Sequence, residues 1–232
     1  MPTKNIIIFG RTGAGKSSVV NLMAGEERAK TSNGMQRCTE RWTKHSTTLQ
    51  DGRYSYNVFD TIGLEDDRGI DGYLGAIEDA RNLIAALRNE GGIHLLLFCV
   101  RAGRLTSTTE NNYRLFYERL CEKKVPVILV ITGLEEEQNI DAWWDRAKPN
   151  FDKHGIIVDG HACITAVSGS DQRHQQLYEK SRRLVCNLVT RHCMVDEYKE
   201  YDVYKGDGTK RGEGWFRKLM CKLKQCFWAS KP

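Results

Sequence analysis

The sequence lacks any run of about 18 apolar residues, the length that a single helix needs to cross a bilayer. We expect no secretory signal, because a strand-like segment begins almost at Met1. Pro2 stands where the usual N-myristoylation motif has glycine. These absences favour a cytoplasmic protein that does not span a membrane by itself and carries no N-terminal lipid.

Paired cysteine motifs are missing as well. None of the eight cysteines forms a C-x-x-C pair, and several lie in apolar runs, where a buried thiol behaves as a small hydrophobic group. Zinc binding is therefore not indicated. The cysteines suit the reduced compartment that the missing signal also favours.

A net positive charge is absent from most of the chain. The formal net charge is +5, but residues 205–232 hold eight Lys/Arg against two Asp/Glu, a balance of +6, so the remainder sums to about −1. Such a body is not that of a basic nucleic-acid-binding protein, and we expect no nucleic-acid partner. A length of 232 residues with 40% hydrophobic content suits one α/β domain with an appendage.

A glycine-rich motif near the start is the strongest positive signal. Residues 10–17 fit a glycine, four free positions and then Gly-Lys-Ser. An apolar, β-branched run precedes the motif at 5–9 and a helix-like segment follows at 18–24, which is the strand–loop–helix context of a P-loop. The candidate nucleotide-binding residues here are Gly10, Arg11, Thr12, Gly13, Ala14, Gly15, Lys16, Ser17 and Ser18.

The composition of this loop predicts phosphate binding. Its glycines let the backbone turn tightly, so that amide N–H groups form an anion-binding nest at a helix N-terminus. We expect Lys16 to reach the β- and γ-phosphates of a nucleotide and the Ser17 hydroxyl to bind Mg²⁺. An ordinary core strand followed by a turn is the alternative.

A second motif, D-x-x-G, lies at residues 60–63. It closes a strand predicted over 54–59, which an Asp51-Gly52 turn connects to a strand predicted over 41–49. We expect Asp60 to hold Mg²⁺ through water and the Gly63 amide to sense the γ-phosphate. A helix-capping aspartate followed by a turn glycine is the alternative.

A threonine between the two motifs should close over Mg²⁺ and the γ-phosphate. Thr39 is our candidate; Thr31, Ser32 and Thr43 compete with it, and a solvent-exposed loop residue is the other interpretation of Thr39. The predicted catalytic residues are thus Lys16, Ser17 and Thr39, and the predicted metal ligands are Ser17, Thr39 and Asp60.

Base recognition is expected after the buried strand predicted over 125–131. Thr132-Gly133-Leu134-Glu135 stands where GTPases carry Asn/Thr-Lys-x-Asp. A carboxylate accepts from the N1 and N2 donors of guanine, which adenine does not offer, and Glu135 could do so from one carbon further away. Gly133 replaces the lysine whose stem packs along the base. An acidic helix start at 135–137 is the alternative.

A weaker base signal follows the last predicted strand. Thr165-Ala166 occupies the place of the Ser-Ala turn that contacts guanine through its backbone.

The order of the predicted elements is β, α, two antiparallel-looking strands, then α, β, α, β, α, β and α. This order predicts a three-layer α/β fold of the Ras-like P-loop NTPase type, with a mostly parallel sheet, one antiparallel edge strand and helices on both faces. The remaining segments are helices over 72–88, 107–121, 141–154 and 171–190 and strands over 94–100 and 162–167. A Ser107–Glu110 capping box should start the second of these helices.

Together these motifs resemble the septin-like P-loop GTPases of the immunity-associated (AIG/GIMAP) group, near the chloroplast import-receptor GTPases. The resemblance is carried by residues 10–17, by Asp-Thr-Ile-Gly-Leu at 60–64 and by Arg-Ala-Gly-Arg-Leu-Thr at 101–106, and it covers roughly residues 4–191. The chain departs from the family at Ile62, where proline is frequent, and at the Gly133 and Glu135 positions.

The resemblance implies a G domain over 1–192 that binds GTP and GDP with Mg²⁺. Hydrolysis should be slow, because Leu64 stands where Ras-like enzymes place the glutamine that orients water. Related proteins pair through their nucleotide faces, so we expect a homodimer, with Arg101 or Arg104 as trans groups or dimer contacts; solvated loop arginines are the alternative. A non-hydrolysing nucleotide-binding scaffold is the second functional hypothesis, and a small-molecule kinase is the third.

The C-terminal residues carry a separate signal. A linker is predicted over 193–214 and a basic amphipathic helix over 215–228, with its apolar residues on an arc of roughly 140°. Such a helix suits an anionic membrane surface, and Cys221 and Cys226 could be palmitoylated as a second anchor. Packing against the domain or a partner, or capture by a calmodulin-like protein, is the alternative.

Overall fold

A computed structural model of the chain describes residues 2–25, 42–49, 52, 54–61, 69–167 and 171–194. The strands are β1 Thr3–Phe9, β2 Trp42–Thr48, β3 Ser55–Thr61, β4 Leu95–Arg101, β5 Val127–Thr132 and β6 Gly160–Cys163. The helices are α1 Lys16–Ala24, α2 Gly69–Asn89, α3 Ser107–Tyr113, a π-helix Arg114–Leu120 that continues α3, α4 Trp143–Lys153 and α5 Gln172–Met194.

The six strands form one sheet in the order β2-β3-β1-β4-β5-β6. Strand β1 lies in the middle, and its Ile6 pairs with Val58 of β3 on one side and with Leu95 of β4 on the other. Among the strands in the described ranges, only the β2–β3 pair is antiparallel, while β1, β3, β4, β5 and β6 run parallel. The predicted mostly parallel sheet with an antiparallel edge strand is confirmed.

The apolar sequence of β1 explains why helices cover both faces of the sheet. Successive side chains of a strand point to opposite faces. Ile6 and Ile8 join a core cluster with α1 and α5, whereas Ile7 and Phe9 join a second cluster with α2, α3, the π-helix and α4. All four side chains are fully buried. The result is the predicted three-layer arrangement.

The helix predicted over 107–121 differs from the structure in two ways. Thr106, not Ser107, caps it: the Thr106 hydroxyl oxygen accepts a hydrogen bond from the Thr109 amide at 3.2 Å. The backbone of Thr106 is extended (φ −115°, ψ 160°), so the cap lies one residue earlier than the capping box predicted and Ser107 is the first helical residue.

The second half of this helix widens into a π-helix, in which the Cys121 amide bonds to the Phe116 carbonyl five residues earlier. Leu115 and Phe116 are both buried in this segment. Phe116 stacks on Phe9 of β1 with ring centroids 4.6 Å apart. The sequence predicted one regular helix over 107–121, with 3.6 residues per turn, and did not predict the wider turn.

Strand β6 ends at Cys163, although the sequence predicted a strand through 167. The Ile164 amide still bonds to the Ile131 carbonyl at 2.9 Å, but the Thr165 amide donates to the Ser181 hydroxyl of α5 at 3.1 Å. This side-chain acceptor replaces the next ladder partner and turns the chain away from the sheet. Helix α5 then runs to Met194, past the expected domain boundary at 192.

None of the helices in the described ranges is both long enough and apolar enough to cross a membrane. The linker and the amphipathic helix predicted over 215–228 lie outside the described residues, apart from the two linker positions at the end of α5. The anionic membrane surface therefore stays a prediction from the sequence.

One buried side-chain hydrogen bond ties the end of β5 to the loop after β1. The Thr132 hydroxyl donates to the Ala14 carbonyl at 3.0 Å, across 118 residues of sequence. Thr132 is 4% exposed and Ala14 is fully buried. A buried carbonyl that loses its partner keeps its desolvation cost, so this bond helps to hold the loop in place.

Thr132→Val keeps the shape of this side chain and removes the hydroxyl. We expect the free energy of unfolding to fall by about 1–3 kcal/mol, because the Ala14 carbonyl would stay buried without its donor. Urea denaturation of both proteins measures this difference.

Thr48→Val is the matched control, because Thr48 lies exposed on the edge strand β2. Its effect should stay within about 0.5 kcal/mol. If both variants lose the same free energy of unfolding, the hydrogen bond to Ala14 does not contribute to stability as proposed.

Candidate nucleotide-binding site

The predicted site residues gather at one edge of the sheet. Parallel strands place their carboxyl ends along the same edge, where open α/β sheets bind ligands. The P-loop follows β1, Asp60 lies near the end of β3, Arg101 ends β4 and Thr132 ends β5. Thr165 and Ala166 follow β6.

The P-loop lies directly on β4. A Cβ atom added at Gly10, whose φ is +144°, would stand 2.2 Å from the carbonyl oxygen of Cys99, which forbids any side chain there. Gly15 (φ +79°) precedes the first residue of α1, and its carbonyl accepts from the Val19 amide at 2.9 Å. The loop thus leads straight into the helix N-terminus, where the first amides have no partner within the helix.

The side chain of Lys16 turns back over this loop. Its Nζ donates to the carbonyl oxygens of Gly10 at 3.1 Å and of Arg11 at 3.3 Å. An ammonium group held at the loop carbonyls lies next to the backbone that would surround a phosphate. Arg11 and Thr12 are exposed, whereas Ser18 is half-buried in the first turn of α1.

The two predicted magnesium ligands that the structure describes are in contact. The Ser17 hydroxyl donates to Oδ2 of Asp60 at 2.8 Å. The other carboxylate oxygen, Oδ1, is buried and has no hydrogen-bond partner among the described residues. A hydroxyl beside an unsatisfied carboxylate oxygen is a hard oxygen set that fits Mg²⁺. Thr39 and Gly63, the other predicted residues of this region, lie outside the described ranges.

Cys99 forms part of the floor below the loop. Complete burial raises the pKa of its thiol well above the usual range; the Lys16 ammonium opposes this shift and the Asp60 carboxylate adds to it. The thiol therefore stays neutral. It adds no negative charge beneath a loop that is suited to bind an anion.

The segment expected to recognise the base is a turn and not a helix. The Glu137 amide donates to the Leu134 carbonyl at 3.1 Å, and α4 begins only at Trp143, so the acidic helix start considered for 135–137 is wrong. Leu134 is 1% exposed and anchors the turn in the core. Glu135 is half-exposed, while Glu137 pairs with Arg146 at 3.0 Å.

The side chain of Thr132 points to the P-loop through its bond to Ala14. Next to it, Gly133 has a φ of +77°, and a Cβ atom there would lie 3.0 Å from Cγ of Arg101. The Arg101 side chain therefore runs across the position that a side chain of residue 133 would take.

The Thr165-Ala166 pair lies at the same edge. The Thr165 amide already donates to Ser181, so if the pair contacts a base through its backbone, Ala166 supplies the donor. The Thr165 hydroxyl is buried without a partner among the described residues.

Sequence reasoning missed the supporting roles of Cys99 and Ser181. Cys99 contacts the P-loop through its backbone carbonyl, and because every residue has such a carbonyl, the residue type gave no signal. Ser181 lies in a charged helix, and no local pattern links it to Thr165.

Comparisons with known proteins agree with this geometry. Residues 5–133 match the GTPase family described as 50S ribosome-binding GTPase. Two similar proteins from Arabidopsis thaliana are immune-associated nucleotide-binding protein 10, 30% identical over 65% of this chain, and immune-associated nucleotide-binding protein 7, 33% identical over 69% of it. The matches cover 33% and 52% of those two relatives, so the chain spans about a third to about half of their length.

Solved structures agree on the fold. Toc33 from Arabidopsis thaliana, as a dimerization-deficient arginine-to-alanine mutant, is 16% identical with a TM-score of 0.57, and the match covers 86% of each chain. A mutant of Era from Aquifex aeolicus bound to GDP.AlF4- is 18% identical with a TM-score of 0.54, over 83% of this chain and 56% of that one.

The matched segment 5–133 is more than half of the chain, and it contains both the P-loop and Asp60. The resemblance expected from the motifs is confirmed by the two immune-associated relatives. The chain belongs to the P-loop GTPase family described as 50S ribosome-binding GTPase, and its homologues are of the AIG/GIMAP type.

Proposed function

We propose that this protein binds GTP and GDP together with Mg²⁺ at the P-loop and hydrolyses GTP slowly. The contact between Ser17 and Asp60, whose other carboxylate oxygen has no partner among the described residues, is the observation that carries this proposal. Family membership supports guanine nucleotide as the ligand.

The P-loop residues have distinct tasks in this proposal. The unpaired amides at the start of α1 bind phosphate oxygens, and the helix dipole favours the negative charge there. Lys16 exchanges the carbonyls of Gly10 and Arg11 for phosphate oxygens, which accept more strongly because they are charged. When bound, Mg²⁺ neutralises charge that develops on the phosphates, and Ser17 and Asp60 hold it.

Hydrolysis is proposed to be slow because Leu64 cannot orient the attacking water. Arg101 at the end of β4 and Arg104 in the loop between β4 and α3, both exposed, are the candidates to act across a dimer of nucleotide faces. Toc33, for which a dimerization-deficient mutant was solved, supports pairing by analogy. A scaffold that binds nucleotide without hydrolysing it is the second candidate, and Leu64 favours it.

Lys16→Ala tests phosphate binding directly. We expect the affinity for GDP to fall by about 10- to 100-fold, because a charge-assisted contact with the phosphates is lost. Titration with a fluorescent GDP analogue measures it. Lys153→Ala, exposed in the last turn of α4, should leave the affinity unchanged. Equal affinities for Lys16→Ala and the unaltered protein would overturn the proposed site.

Glu135→Ala tests the choice of base. Competition against the same analogue should show GTP preferred over ATP by about ten-fold or more in the unaltered protein, because only guanine offers two donors to a carboxylate. The variant should lose that preference, whereas Glu136→Ala, at the exposed neighbouring position, should keep it. Preference for ATP, or no effect of Glu135→Ala, would exclude Glu135 as the residue that recognises guanine.

The dimer proposal predicts that hydrolysis per molecule rises with protein concentration. Arg104→Ala should remove this rise, because a partner would no longer supply the charge, while Arg191→Ala on the exposed face of α5 should keep it. Phosphate release over a hundred-fold concentration range measures the rates. A rate that is independent of concentration would contradict catalysis in trans, and no release at all would favour the scaffold.

A further inference from the structure

The structure places an arginine where the sequence lacks a lysine. GTPases of the Asn/Thr-Lys-x-Asp type pack a lysine stem along the base, and this chain has Gly133 at that position. Its φ of +77° lies in the left-handed region, which side chains rarely adopt. A Cβ atom there would lie 3.0 Å from Cγ and 3.2 Å from Nε of Arg101.

The position of Arg101 is set by the sheet. It is the last residue of β4 and is paired in register with Thr132 of β5. The following amide, that of Ala102, donates to the Thr132 carbonyl at 2.8 Å. The backbone of Arg101 is therefore fixed beside Gly133, and only its side chain can move.

Gly133 and Arg101 form a matched pair. The missing side chain at 133 leaves space that the Arg101 stem fills, and a larger residue at 133 would have to displace that stem. The same β5 end carries Thr132, whose hydroxyl holds the P-loop, so the Arg101 stem runs beside the loop where the nucleotide is proposed to bind.

We propose that Arg101 supplies, within its own chain, one wall of the purine-base pocket by laying its stem and guanidinium plane along the base, in place of the lysine that Gly133 lacks. This inference rests on the proposed nucleotide site. A guanidinium is flat, weakly hydrated and attracted to the face of an aromatic ring, so it suits this task. Arg101 is then a base contact in cis, and Arg104 alone remains for a contact across the dimer.

The test compares two ligands that differ only in the nucleoside. GDP and pyrophosphate, each with Mg²⁺, compete against a fluorescent GDP analogue on protein at nanomolar concentration. Arg101→Ala should lower the affinity for GDP about ten-fold and leave the affinity for pyrophosphate unchanged, because only GDP carries a base. Arg101→Lys, which keeps the stem and charge but not the plane, should fall between.

Two further variants separate the possible failures. Lys16→Ala should lower the affinity for both ligands, since both contain phosphates. Arg183 is exposed on α5, so Arg183→Ala should change neither affinity. If Lys16→Ala acts as expected while Arg101→Ala leaves GDP unchanged or weakens both ligands equally, this proposal is overturned and the nucleotide site stands. If the competition is repeated at micromolar protein and Arg101→Ala weakens GDP binding there but not at nanomolar protein, Arg101 acts on the partner's site and the proposal is overturned too. Failure of the unaltered protein to bind GDP would remove both proposals.

Discussion

The close approach of Gly10 to the carbonyl of Cys99 is the constraint on which the rest of the site depends. Because Gly10 has no side chain, the loop can lie directly on β4. A Cβ atom at this position would stand 2.2 Å from that carbonyl oxygen. The Thr132 bond to Ala14 holds the same loop from β5. Two strands thus position one loop. Helix α1 starts directly after this loop, so its first amides, which have no partner within the helix, lie at the sheet edge.

This packing also determines the electrostatics of the loop. The Lys16 ammonium and the helix N-terminus are positive, and the buried Cys99 thiol stays neutral because burial raises its pKa. Asp60 introduces negative charge beside Ser17, and its Oδ1, which has no partner within the described part of the chain, favours a cation at that point. The arrangement thus suits an anion together with a small hard cation, which is the chemistry of a magnesium-bound phosphate chain.

The sequence predicted the order, type and sheet arrangement of the elements, because apolar runs and glycine turns are local signals. It was wrong where a non-local partner decides the outcome: Ser181 ends β6 early, and core packing against Phe9 accompanies the π-helix. The P-loop was predictable since its function is encoded within one short segment. The contact between Arg101 and Gly133 was not, because it joins segments that only the sheet brings together.

The contact with Arg101 explains why glycine, and not the family's lysine, suits position 133. Considered alone, a glycine there removes a base contact and weakens the argument for guanine. Beside Arg101, it is the residue that makes room for another side chain from the neighbouring strand. On the proposed arrangement, Arg101 at the end of β4 forms one wall of the base pocket, and the exposed Arg104 lies three residues later in the following loop. Because the backbone of Arg101 is fixed beside Thr132, a bound base would order only the Arg101 side chain, and the loop that presents Arg104 is anchored at its start by β5 rather than by the nucleotide.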